Sequence, residues 1–212
     1  MIVVKVGGSL FDHPALGPAL RAFVASLAPA DVLLVPGGGP VADAVRQLDR
    51  VHALGEEAAH WLALRALGVT AAFLEGIVRP TPQPPPCREG EPDLRHSVAS
   101  GVTEDSVRAF TPSLQGGGWG GGLLDCFTFA QEDEARPGSL PHTWSVTTDS
   151  IAARAAVVFR AERLVLLKSV DVPPGTPWET AAANGWVDAH FPRVAATLAC
   201  PVTVVNFRSR LT

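Results

Sequence analysis

The sequence predicts an α/β protein with a largely parallel sheet, and three observations carry that expectation. Ile2–Val6, Val32–Val35, Leu164–Leu167 and Val202–Asn206 are short apolar runs with little polar alternation, as in strands buried on both faces. Stretches of helical period separate them. Glycines or a lysine follow three of the runs, at Gly7-Gly8-Ser9, Gly37-Gly38-Gly39 and Lys168. Ligands of parallel sheets bind beyond the carboxyl ends of the strands, where these groups stand.

The first nine residues, MIVVKVGGS, organise the rest. Lys5 interrupts a β-branched run, and a lysine inside a buried strand needs a partner for its ammonium unless it snorkels to the strand edge. Gly7 and Gly8 remove side chains where the strand ends, and Ser9 adds a hydroxyl. Backbone N–H groups and a fixed charge can then approach an anion closely. Of 17 Lys and Arg residues only two, Lys5 and Lys168, are lysine. Lysine is thus kept where a compact ammonium is needed and a planar guanidinium would not fit. Two such residues at two strand ends suggest one shared anionic ligand.

The remaining elements follow in order. Asp12 or His13 can cap a helix with Pro14 in its first turn, packed by Leu16, Leu20, Phe23, Val24 and Leu27 and closed by Pro29. The strand Val32–Val35 runs into the triple glycine, and Pro40 is placed to begin a helix bearing Val41, Ala44, Val45 and Leu48. Strand, glycine loop and helix together present free N–H groups and a positive helix end to phosphate. Neither glycine loop matches GxxxxGK[ST] or GxGxxG. Residues 55–67 form a third predicted helix, in which His60 reads as a half-buried structural histidine. Val69–Leu74 is predicted to be a strand. From Arg79 to Gly122 proline, glycine and charge dominate, predicting a surface excursion with one short helix, Thr103–Phe110; an inert insertion is favoured over a lid. A strand is expected at Leu123–Ala130. Thr148 and Asp149 open an alanine-rich helix, where Asp149 is either a plain cap or also the orienter of both lysines. Ser169–Pro173 is a polar loop, a short helix at Trp178–Ala183 ends at Asn184-Gly185, and a helix is expected from Val187-Asp188 to about Leu198.

Composition bounds the possibilities. A chain of 212 residues is expected to make one domain with one substantial core, the excursion at 79–122 apart. Hydrophobic residues at 47% and charged ones at 18% describe a globular chain. A net charge of −4 argues against a nucleic-acid partner. Cys87, Cys126 and Cys200 have neither disulfide-framework nor zinc-site spacing and read as reduced thiols. With no signal-like start and no apolar run of about 20 residues, a cytoplasmic location without membrane contact is expected.

Lys5-Val6-Gly7-Gly8-Ser9, Pro36-Gly37-Gly38-Gly39, Thr148-Asp149-Ser150 before an alanine-rich helix, and Lys168 before Val170-Asp171 resemble the amino acid kinase superfamily in its own order. That superfamily includes acetylglutamate, carbamate, uridylate and isopentenyl phosphate kinases. The late lysine of a Gly-Met-x-x-Lys segment is absent, leaving Lys168 as the second lysine, as in the uridylate kinase branch. His142-x-Trp144-x-Val146-Thr147-Thr148-Asp149-Ser150, Val187-Asp188-x-x-Phe191-Pro192 and Val204-Val205-Asn206 further resemble the aminomethylfuran phosphate kinase branch of methanofuran biosynthesis. There Asp-Gly usually follows the Val-Asp pair; here Val172-Pro173 does.

The resemblance implies a three-layer α/β/α sandwich and an ATP- and Mg²⁺-dependent phosphotransferase, as a homo-oligomer with a dimer favoured. The expected acceptor is a phosphate monoester, giving a diphosphate. Lys5 is expected to bridge donor and acceptor phosphates, Lys168 to neutralise the β/γ side of ATP, and Asp149 to hold both ammonium groups. Gly7, Gly8, Ser9, Gly37, Gly38, Gly39, Ser169 and Asp171 are the phosphate- and ATP-binding candidates. His142, Trp144, Thr148, Asp188 and Asn206 are candidates for the acceptor. No carboxylate cluster is dedicated to a metal, so Mg²⁺ is expected on ATP oxygens. A kinase for another acceptor (a nucleoside or isoprenoid monophosphate, or a carboxylate) and a non-catalytic oxoanion-binding protein remain as alternatives.

Overall fold

A computed structural model describes residues 1–79 and 121–211. The elements are β1 (Ile2–Val6), α1 (Leu16–Ala25), β2 (Val32–Pro36), α2 (Gly39–His52), α3 (Glu56–Val78), β3 (Gly121–Leu123), α4 (Cys126–Asp133), α5 (Thr148–Val158), β4 (Arg163–Lys168), α6 (Trp178–Ala183), α7 (Phe191–Ala195) and β5 (Val202–Asn206). Among the described residues five strands form one parallel sheet in the order β3-β2-β1-β4-β5. This is the expected α/β/α sandwich, with helices on both sides of the sheet.

The period of two along each central strand divides the sheet into two cores. Val3, Leu33, Val35, Leu164 and Leu166 point to one face, against α4, α5, α7 and the first half of α3. Ile2, Val4, Val6, Val32, Leu34, Val165 and Leu167 point to the other, against α1 and the last turns of α3. All five residues of β1 are buried, because neighbours flank it on both edges and helices cover both faces. Lys5 shares the face of Val3, and Lys168 that of Leu164 and Leu166. The β1–β4 register pairs Lys5 with Leu166, so Lys168 lies two residues further along the adjacent strand on the same side.

Several expectations need correction. Val69–Leu74 is not a strand: α3 runs unbroken to Val78, burying Leu64, Leu67, Thr70, Leu74 and Val78 at helical spacing. Leu123–Ala130 is not a strand either. Only Gly121–Leu123 pairs with β2; Asp125 then caps α4, accepting from Phe127 N at 3.0 Å and Thr128 N at 3.1 Å. The helix expected from 187 to 198 is the shorter α7. Before α1, His13 Nδ1 accepts from Ala15 N, while Asp12 turns to Arg208. Nearly all of the excursion at 79–122, with its expected helix at 103–110, lies outside the described residues. The continuity of α3 also makes it, by length and composition, apolar enough to span a bilayer. Its buried residues serve both cores of the fold.

Arg154 of α5 and Asp133 at the end of α4 form a buried two-pronged ion pair at 2.7 and 2.8 Å, and the guanidinium also donates to Pro137 O at 3.0 Å. Asp133→Ala leaves that guanidinium buried without its counter-charge and is expected to cost about 3–5 kcal/mol of unfolding free energy. Urea unfolding measures it, and a loss below about 1 kcal/mol would show the site relaxing to admit water.

Candidate functional site

At the carboxyl ends of β1, β2 and β4 a cleft of about 890 Å³ opens. Two glycine loops make its floor, and they need glycine chiefly because they pack on each other. A Cβ on Gly8 would lie 2.2 Å from Gly39 N, and one on Gly37 would lie 2.3 Å from Gly8 N. Gly39 also has a left-handed φ of +51°. The loops after β1 and β4 are tied in turn by Gly7 N donating to Leu167 O at 2.9 Å and by a 2.8 Å hydrogen bond between the Ser9 and Ser169 hydroxyls.

Behind this floor lies a buried ion triad. Lys168 Nζ donates to Asp149 Oδ2 at 2.6 Å, and Lys5 Nζ stands 3.0 Å from Asp149 Oδ1. The Lys5 contact has ion-pair distance without hydrogen-bond alignment, so Oδ1 accepts no aligned hydrogen bond. All three side chains are nearly enclosed, at 7%, 6% and 11% exposure for Lys5, Asp149 and Lys168. Burial by itself would raise the Asp149 carboxyl, but the Lys5 and Lys168 ammoniums outweigh it and hold the carboxyl below its usual range. Lys168 is pushed down to about 8, first by burial and then by the like charge of Lys5, against the pull of Asp149. Two ammoniums face one carboxylate, leaving a net charge of +1 at the cleft floor. A buried excess charge of this kind is costly without an anion to meet it.

The triad depends on where α5 starts. Asp149 is the second residue of α5, so it is not the cap. Capping falls to Asp188, whose carboxylate accepts from the backbone N and hydroxyl of both Thr147 and Ser150, and from His190 N and Phe191 N at the start of α7. These bonds fix the first turn of α5 against α7 and aim Asp149 at the lysines.

The walls of the cleft bring together most of the predicted residues and exclude others. Lys5, Gly7, Gly8, Ser9, Gly38, Gly39, Trp144, Thr148, Lys168 and Ser169 line it. Gly37 is turned into the floor behind Gly8. Asp171 is exposed in the loop after β4. Asn206 accepts from Ser209 N at 3.4 Å at the end of β5. His142 lies behind the wall, its ring nitrogens 2.8 Å from Glu57 and 2.9 Å from Glu134. Neither His142 nor Asp188 reaches the cleft as an acceptor contact, because the carboxylates around the one and the helix ends around the other occupy their polar atoms. Trp144 does reach it: its indole N–H donates to Asp49 Oδ2 at 2.7 Å, and the Arg46 guanidinium lies 5.1 Å over its ring.

Other lining residues, among them Arg46, His60, Trp186 and Arg208, were not among the sequence candidates. Arg208 donates to Ser9 O and Asp12, closing the floor from the far end of the chain. A signal existed for two of them. His60 interrupts the apolar face that continues through Leu64 and Leu67, and Arg208 stands just beyond the carboxyl end of a strand. Among the described residues no three His, Cys, Asp or Glu side chains converge on a common metal position.

The fold and site define an α/β protein with a cationic, glycine-floored cleft at the carboxyl ends of a parallel sheet. Residues 1–172 match the model of the amino acid kinase family, and the chain belongs to that family of kinases. Its fold is similar to that of uridylate kinase from Archaeoglobus fulgidus, with a TM-score of 0.55 and 13% identity over 99% of this chain and 93% of that one. No curated protein matches it in sequence.

Proposed function

We propose that the protein transfers the γ-phosphoryl group of ATP to a phosphate monoester, such as an aminomethylfuran-methyl phosphate, releasing ADP and a diphosphate. The observation that carries this reading is the buried Lys5–Asp149–Lys168 triad with its unbalanced positive charge beside two glycine loops. The acceptor needs no base, because a phosphate monoester is largely a dianion at neutral pH. Its oxygen attacks the γ-phosphorus in line, one P–O bond forms, and the bond to ADP breaks. Catalysis is then positioning and charge stabilisation. Lys5 bridges acceptor and transferring phosphates, Lys168 meets the β/γ oxygens, and backbone N–H groups of Gly8, Gly38 and Gly39 hold the equatorial oxygens, the Gly7 N–H being taken by Leu167 O. Asp149 keeps the two ammoniums apart and in register. Mg²⁺ would be held mostly by ATP oxygens and would supply further charge neutralisation. The acceptor body lies between Trp144, Leu64, Leu67 and Val146, in a cytoplasmic protein acting as a dimer.

The test is an acceptor screen read by ³¹P NMR, comparing furfuryl-type and benzyl phosphates with uridine and isopentenyl monophosphates. Diphosphate formed from a furfuryl-type ester supports the reading; ATP consumed only with another monophosphate moves the acceptor, and none consumed removes the kinase.

A pH dependence follows from Lys168. The active form is protonated, and the free-enzyme value near 8 lies below that of an ordinary lysine. Activity at limiting substrate is therefore present below about pH 8 and lost above it. The expected kcat/KM for ATP falls on the alkaline side with an apparent pKa near 8. The fall in kcat comes at higher pH, because bound phosphate favours the ammonium. A kcat/KM that stays flat well above that range would show that Lys168 need not be charged.

A further inference from the structure

Between α4 and α5 the chain from Ser139 to Thr147 is neither helix nor strand, yet it carries Trp144 into the cleft wall. Its anchor on the side of α3 and α4 is His142. That side chain is 15% exposed and lies between two carboxylates: Nδ1 is 2.8 Å from Glu57 of α3, and Nε2 is 2.9 Å from Glu134, just past α4. Two rings of α3 complete its seat, His60 stacked at 5.1 Å with 24° between planes and Trp61 edge-on at 4.8 Å. Asp133 lines the small void beside it but is engaged by Arg154. Burial holds the His60 pKa below its usual value, so the stacked ring adds no second positive charge. A neutral imidazole has one N–H and one lone pair, so only the doubly protonated His142 ring donates to both carboxylates. Glu57 and Glu134 are 68% and 52% exposed, so a carboxylate that loses its donor can turn to water and let the ring go.

We propose that His142 is a positioning residue for the acceptor: its imidazolium, bridging Glu57 and Glu134, holds Trp144 in the cleft wall, and loss of one ring proton releases it. This rests on the reading of the cleft as an acceptor site for a phosphate monoester. The link from His142 to Trp144 is short and closed. His142 directly precedes a turn in which Val146 N donates to Thr143 O at 3.1 Å, and Trp144 is the second residue of that turn. The Thr143 and Ser145 hydroxyls tie the turn again at 2.6 Å. On its far side the Trp144 indole N–H is fixed to Asp49 of α2, so this one turn joins α2 to α3 and α4. A shift of His142 is thus passed through two residues to the ring that flanks the acceptor. Histidine changes charge between about pH 5 and 8. The latch is complete on the acid side of that range and loosens as pH rises, an effect on the acceptor distinct from the loss that Lys168 sets for ATP.

The test uses benzyl phosphate as the acceptor and follows NMR signals and kinetics across the histidine range. Each variant is compared with wild type at the same pH, which cancels the ionisation of the probe. In the wild-type protein the ¹H–¹⁵N signal of the Trp144 indole should move in step with the ¹⁵N signals of the His142 ring. His142→Gln should raise the KM for benzyl phosphate at the acid end by about fivefold, within the roughly tenfold that one hydrogen bond to a charged group carries. Its kcat and its KM for ATP should stay within about twofold, since the ring touches neither ATP nor the transferred group. Glu134→Gln is the conservative rescue: its amide donates to a neutral ring and accepts from a protonated one, so both contacts hold in either state. There the His142 ring should still lose its proton while the Trp144 signal keeps its acid-side position. A residue that only supports the fold would not have its pH response removed by an isosteric amide next to it. A Trp144 signal indifferent to His142, a pH response unchanged in Glu134→Gln, or an unchanged KM in folded His142→Gln overturns the proposal. The wild-type titration and Glu134→Gln decide it even where His142→Gln does not fold. Coupled signals without phosphoryl transfer to benzyl phosphate would instead overturn the reading of the cleft as a phosphate-monoester site and leave the latch standing. Transfer with uncoupled signals would do the reverse.

Discussion

Lys5→Ala is expected to fold and to lose at least about 10²-fold in kcat, the scale of removing one preorganised charge-stabilising donor from a transition state. The fold should survive because of what is left behind. Lys168 keeps its 2.6 Å bond to Asp149, so the variant retains a balanced pair where the native protein has an excess positive charge. The site loses its anion deficit and with it the means to draw two phosphates together. Asp149→Ala is different in kind: it leaves two buried ammoniums facing each other and should cost stability as well as activity. Comparing thermal unfolding and turnover of the two variants separates these effects. A folded Lys5→Ala protein that keeps more than a tenth of wild-type kcat, a barrier change under about 1.4 kcal/mol, would take Lys5 out of the mechanism.

What the sequence made legible is chemistry carried by single elements. The run Ile2–Val6 reads as a buried strand because β-branched residues fill both faces, and Lys5 stands out because nothing apolar explains it. Lys168 is legible for the same reason, and their common face follows once β1 and β4 are neighbours in parallel register. Two elements were misread where composition competed with period. Val69 and Thr70 suggest a strand, yet Leu67, Thr70, Leu74 and Val78 keep the spacing of one helix face, and Ala71-Ala72 between them favour helix. In Leu123–Ala130 the apolar content hid Asp125, whose side chain two and three residues before Phe127 N and Thr128 N marks a helix start. Asp188 was legible locally as the start of the last helix, but not as the cap of α5. Its partners on α5, Thr147 and Ser150, are distant in the chain, and only the packing of α7 on α5 reveals a shared cap. The same holds for Arg46, whose place on the cleft wall only the packing of α2 shows, whereas Trp144 stood in the run read from the sequence before α5.

Lys168→Arg is expected to fold normally and to lose most of its kcat although the charge is kept. Lys168 lies in a space set by Asp149 at 2.6 Å, by the backbone of β4 and by Ser169, and its side chain is 11% exposed. A guanidinium is longer and planar, so it cannot keep the Asp149 contact and leave the phosphate position unchanged; a displacement of about 1 Å can cost ~10²-fold in rate. Lys168→Met should lose at least as much and also weaken ATP binding. Asp149→Asn removes the charge that orients both lysines while keeping the shape of the side chain, and should fall to a similar level. Because displacing the lysine and disabling its organiser damage one unit, the double variant should be little worse than either single one, far short of the product of the two losses. The pH profile offers a second readout: with arginine at 168 the alkaline fall in kcat/KM near pH 8 should vanish from whatever activity remains, since a guanidinium does not titrate there. The measurement is a double-mutant cycle on kcat/KM with unfolding followed in parallel. Should Lys168→Arg match the wild type, or the two losses multiply as independent sites do, the two lysines do not act on one transferred group.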